Sequence, residues 1–83
     1  MPGSLFAVER YERRGDQRTP PLAALPADSG VRLVVAVHVP ADEVVIALVE
    51  ADDVAAVEAA AVGAGWQVDR VTPAVWIVPL DCA

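Results

Sequence analysis

Between Val31 and Glu50 the chain reads V-R-L-V-V-A-V-H-V-P-A-D-E-V-V-I-A-L-V-E. Two β-branched-rich arms flank a short polar break, and such side chains fit a pleated, buried surface better than a helix. The stretch predicts two long β-strands joined by a tight turn at Pro40-Ala41-Asp42. Pro40 presets φ, and the Asp42 side chain can hydrogen-bond its own backbone. Alternate side chains of a strand point to opposite faces. Val31, Leu33, Val35, Val37 and Val39 then share one face of the first arm, and Arg32, Val34, Ala36, His38 and Pro40 the other. The second arm divides into Val44, Ile46, Leu48 and Glu50 against Val45, Ala47 and Val49. Both faces are largely apolar, whereas a one-sided antiparallel sheet alternates between apolar and polar. A sheet built on this hairpin is therefore expected to be covered on both faces.

The remaining segments supply the elements around it. Leu5 to Tyr11 is a first strand, with Leu5, Ala7, Glu9 and Tyr11 on one side. Glu12 to Thr19 is a charged connection with turn formers at Gly15 and Asp16. Prolines at 20, 21 and 26 restrict any helix over Pro21 to Leu25 to one or two turns. Asp28-Ser29-Gly30 turns into the hairpin. After it, Asp52 or Asp53 can cap a helix whose apolar stripe is Val54, Val57, Ala61 and Val62, with Glu58 facing water. Gly65 is the expected left-handed stop. Trp66 and Val68 lead on through Arg70-Val71 to a final edge strand over Ala74 to Val78, between Pro73 and Pro79.

The order strand, short helix, strand, strand, helix, strand is the ferredoxin-like split βαβ arrangement (βαββαβ) of an α+β domain. The 83 residues make one such domain, with its core over about residues 4 to 80. Both helices of that fold lie on one sheet face, and the chain has little left to cover the other. Burial against the same face of a second copy is the simplest solution. It predicts a homodimer of the αβ-barrel type, with a core or cavity between two sheets.

Composition removes several classes of function. Apolar residues make up 55% of the chain, too many for a disordered segment. A net charge of −6 opposes binding to nucleic-acid phosphates. Lysine is absent, and four of the six arginines fall between Arg10 and Arg18 among Glu9, Glu12 and Asp16, a self-paired solvated segment. The lone Cys82 rules out an intramolecular disulfide framework. The longest apolar run is broken by Arg32, His38, Pro40, Asp42 and Glu43, which speaks against a membrane span. No basic-plus-apolar signal segment opens the chain, so the expected location is the cytoplasm. Nucleophile-elbow, phosphate-loop, dinucleotide and zinc-ribbon motifs are all missing, and Gly63-Ala64-Gly65 falls at a helix end, the wrong place for phosphate.

Four short stretches, F-A-V-E-R-Y, G-V-R-L, V-E-A-D-D-V-A-A-V and G-A-G-W-Q-V-D-R-V, occur in this order over roughly Leu5 to Leu80. In them the chain resembles the small nickel-responsive, nickel-binding-like proteins of actinobacteria, a family otherwise labelled as a domain of unknown function. The resemblance implies a ferredoxin-like subunit, a homodimer and a divalent metal ion such as nickel. Glu9 and Glu50 match the family's recurrent acidic residues. The chain departs from the family in its proline-rich Arg18 to Pro26 segment, where a longer helix is usual. It also departs in having His38 as its only histidine and Ala47 where a cysteine is common. Nickel favours imidazole and thiolate ligands, usually several of them.

Glu9, His38 and Glu50 are the candidate metal ligands. If they share a face, a dimer doubles them to four carboxylates and two imidazoles, enough to hold a divalent ion or move a proton. Against this stands a structural role, with Glu9 paired to an arginine such as Arg10 or Arg32 and Glu50 ending a strand. Trp66, Trp76, Phe6 and Tyr11 are expected in a core or a dimer contact. Three functions follow: a dimeric protein that binds a metal ion or a small ligand, a cofactor-free αβ-barrel enzyme of the monooxygenase or isomerase kind, or a structural member that has lost its ligands.

Overall fold

A computed structural model describes residues 3–11 and 22–77. The expectations for Glu12 to Thr19, for Pro20 and Pro21, and for Val78 to Cys82 lie outside the described residues. Four strands, β1 (Ser4–Tyr11), β2 (Arg32–Val39), β3 (Val44–Ala51) and β4 (Arg70–Ala74), form one antiparallel sheet in the order β2-β3-β1-β4. One helix, α1 (Val54–Gly63), connects β3 to β4. The class is α+β, and the order, with each crossover skipping one strand, is compatible with a ferredoxin-like fold.

Local chemistry accounts for the elements where it was expected to. Asp53 caps α1, its Oδ1 accepting from the Ala56 N–H at 2.8 Å. Gly65 adopts φ 75°, and the Trp66 N–H then reaches back to the Ala61 carbonyl at 2.9 Å. The hairpin turn is a short 3-10 turn over Pro40–Asp42, closed by the Glu43 N–H on the Pro40 carbonyl, with Glu43 itself in the left-handed region at φ 53°.

The core lies between the sheet and α1. Phe6, Val8, Ala47, Val49 and Ala51 meet Val57, Ala60, Ala61 and Trp66 there. The apolar stripe of α1 is thus Val57, Ala60 and Ala61. Val54 and Val62, expected within it, are exposed, because a helix of almost uniformly small apolar residues has no polar side to orient it and the large groups of the sheet choose the contact.

Three further expectations need correction. No helix forms over Leu22 to Leu25. The segment Leu22–Pro26 runs without regular structure, hemmed by Pro26, and still lays Leu22 and Leu25 on the core. Trp66 fastens it, donating its indole N–H to the Ala23 carbonyl at 2.7 Å. The last strand is displaced toward the N-terminus and ends at Ala74, where it was expected to begin. Its pairing is set by β1: Asp69 N–H bonds the Glu9 carbonyl at 2.9 Å, and Leu5 opposite Ala74 is already next to the start of β1. The alternation of β2 is also interrupted. A β-bulge at Val34, between Leu33 opposite Val49 and Val35 opposite Leu48, inserts one unpaired residue.

Candidate functional site

The sheet face turned away from α1 collects side chains by register. β1 contributes Leu5, Ala7, Glu9 and Tyr11, and β3 contributes Val44, Ile46, Leu48 and Glu50. From β4 come Arg70, Thr72 and Ala74. Because of the bulge, Arg32, Val35, Val37 and Val39 come from β2. Exposure on this face is uneven: Val35 and Val37 of the edge strand β2 are 45% and 49% exposed, whereas Leu5 of β1 and Val44 of β3 are buried. Centre and ends differ in chemistry. The middle is Ala7, Val35, Val37, Ile46, Leu48 and Thr72, while charge is confined to the two ends.

Each end holds one carboxylate and one guanidinium. At one end Glu50 accepts from Arg32, Nε at 3.0 Å with Nη2 also in contact on the same oxygen. At the other, Arg70 Nε stands 3.8 Å from Glu9 Oε2, and the Tyr11 hydroxyl lies 3.5 Å from Glu9 Oε1, at the outer limit of a hydrogen bond. The Asp69 carboxylate accepts from the Tyr11 N–H at 2.7 Å, which holds this corner of the sheet together. Partly exposed pairs of this kind contribute on the order of 0–1 kcal/mol each, so their main effect is to neutralise the face rather than to stabilise the fold.

Glu9 and Glu50 lie on adjacent strands, as expected, and share a face but not a location. Glu9 lies opposite Ile46, four residues along β3 from Glu50, a separation of about 14 Å at the rise of a β-strand. His38 lies opposite Val45, on the side of the sheet that carries Ala47 and Val49. Simple alternation along β2 put His38 on the same side as Arg32; the extra residue at Val34 moves it to the opposite one. Among the described residues no three His, Cys, Asp or Glu side chains stand close enough together to hold a metal ion. Sequence reading missed Arg70, Asp69 and the Tyr11 hydroxyl as partners of this end. The one local signal was Glu9 and Tyr11 two residues apart on one strand.

A recess of about 340 Å³ lies on the other side of the molecule against α1, lined by Glu58, Ala61, Val62, Trp66 and Val68. Glu58 is its only ionisable group. No helix among the described residues is long and apolar enough to cross a membrane.

The fold and this face together define an α+β domain whose second sheet face is apolar, charge-balanced and exposed mainly along β2. Neither protein-family models, curated proteins nor solved structures give a match to the chain. The resemblance to the nickel-binding-like family therefore rests on its short motifs alone.

Proposed function

We propose that the protein is a small homodimeric binding protein, whose two copies face each other through the open side of the sheet and hold a small apolar ligand between them. The observation that carries this reading is the charge balance of the face. The whole chain has a net charge of −6, yet Arg32, Glu50, Glu9 and Arg70 sum to zero around an apolar middle. A second copy thus meets an uncharged, self-complementary surface, while other surfaces of the two chains repel. Thr72, at the middle, is a polar handle of the kind that orients a ligand in an otherwise apolar pocket.

An organic ligand fits better than nickel. Each carboxylate of the face is already engaged by an arginine, and a metal ion would have to displace it. The two carboxylates are also too far apart to share an ion within one chain. A second reading, a cofactor-free enzyme of the monooxygenase or isomerase kind, has one observation in its favour. Glu9, Tyr11 and Arg70 gather at one end of the face, where a carboxylate and a phenol could exchange a proton with a bound substrate.

Native mass spectrometry of the purified protein, with and without added nickel, tests these readings. The expected result is a dimer that carries organic mass and takes up no stoichiometric nickel. A dimer that binds nickel stoichiometrically would return the metal reading. A monomer at all concentrations would overturn the proposal.

A further inference from the structure

The stretch beyond β4 carries an inference that rests on the face-to-face dimer proposed above. Val75, Trp76 and Ile77 are 86%, 57% and 87% exposed in their own chain. Three consecutive large apolar residues, one of them aromatic, are a costly surface for a lone subunit. They are strong strand formers, yet they follow the last paired residue of β4, because the register sets Ala74 against Leu5 and β1 begins at Ser4. Only Ser4 of β1 lies beyond the Leu5–Ala74 pair, so the three-residue stretch reaches past the partner strand. Within β4 itself, Pro73 lacks a donor and marks an edge that does not invite further pairing, so the unprotected part of this edge is the three-residue extension.

Three observations point to a second copy as what covers this extension. First, its own chain leaves it exposed. Second, the sheet face alone is small for a stable dimer. Four strands of up to eight residues outline roughly 500 Å², against about 800 Å² per partner in a standard interface. A buried Trp adds about 150–250 Å². Third, Ala74 ends β4 in the row of Leu5, Glu50 and Arg32, and the alternation of Thr72 and Ala74, extended by two residues, would turn Trp76 to the same face at the end where Arg32 stands with its side chain 67% exposed. A twofold axis along the strands sets β4 of one copy over β2 of the other. An indole from one copy then meets a guanidinium of the other, a favourable stacking pair.

We propose that Val75–Ile77 is an arm exchanged between the two copies, and that Trp76 of each closes the end of the shared cavity bounded by the partner's Arg32 and Glu50. The ligand site is then incomplete without the second chain. An arm free of charge is suited to this end, where Arg32 and Glu50 already satisfy one another.

Trp66→Phe leaves Trp76 as the only indole. Its emission and its quenching by acrylamide are followed through a dilution series, with sedimentation velocity on the same samples. We expect Trp76 to be shielded several-fold from quencher in the dimer, and to become fully accessible as the dimer dissociates. A dimer in which Trp76 is quenched like a free indole overturns the arm and leaves the pairing of sheet faces standing. Shielding that persists in the monomer also overturns it, since the arm then covers its own chain. Absence of a dimer at every concentration removes both proposals. Because Trp66→Phe loses the bond to Ala23, Trp76→Ser in the otherwise native chain provides an independent measurement. The dimer dissociation constant is expected to rise at least tenfold with an unchanged far-ultraviolet spectrum of the monomer, and an unchanged constant overturns the arm.

Discussion

Trp66 and Trp76 are chemically identical and do opposite things. Trp66 is buried and uses its indole N–H to tie down the irregular segment that occupies the place of a first helix. Replacement by Phe keeps most of the apolar contact but leaves the Ala23 carbonyl without that donor. A loss of about 1–2 kcal/mol in urea unfolding is expected, the typical cost of an orphaned hydrogen-bonding group. Asp53 acts more locally. Asp53→Ala removes the cap of α1 and should cost about 1 kcal/mol in the same assay. Arg32 and Glu50 belong to a weaker category, an ion pair in which the arginine is mostly exposed, and its net effect on folding is small because water screens it.

At the scale of elements, register outweighs composition. The bulge at Val34 is one residue, yet it decides which side of the sheet His38 occupies. Deleting Val34 should leave Val35 opposite Leu48 and Leu33 opposite Val49 without disturbing any other pair, with a stability change within about 1 kcal/mol of zero. Deleting Ala36, only two residues on, offers no such remedy. It would invert the faces of one part of β2 relative to β3 and should abolish cooperative unfolding. Far-ultraviolet circular dichroism across a urea titration separates the two outcomes. If both deletions unfold the chain alike, the bulge is not the spare residue in this ladder. The short β4 follows from the same kind of constraint: it ends at Ala74, opposite Leu5, with only Ser4 of β1 beyond that pair.

The molecule as a whole is a thin slab, 18 Å along its shortest principal axis, with one helix layer and one open sheet face. Two layers bury one core, and on the other sheet face the edge strand β2 keeps Val35 and Val37 half exposed while Leu5 and Val44 are buried. A charge introduced on the exposed edge strand of that face should therefore separate copies without harming the subunit. Val37→Asp is expected to convert the dimer to a monomer in sedimentation velocity while the monomer's thermal unfolding shifts little. If Val37→Asp remains dimeric, the copies associate through a different surface. Raising the salt concentration of the native protein should strengthen association modestly, because it screens the repulsion between two chains of net charge −6.

Much of this architecture was legible in the order of residues. The three strands β1 to β3, the helix after them, the Asp53 cap, the left-handed Gly65, the α+β class and an apolar hairpin on both faces all depend on neighbours a few positions apart, and those are read directly along the chain. The adjacency of the strands that carry Glu9 and Glu50 was legible from the order of elements. Their shared face and their separation were not, nor were the arginines that engage them, because pairing of residues distant in the chain depends on register. The side taken by His38 turned on a single inserted residue whose bulge becomes apparent only against β3. The exposure of Val75 to Ile77 turned on where β1 begins. Local stiffness and hydrophobic pattern select the elements, whereas the matching of one strand's length and register to another's decides where their side chains meet, and only the assembled sheet contains that information.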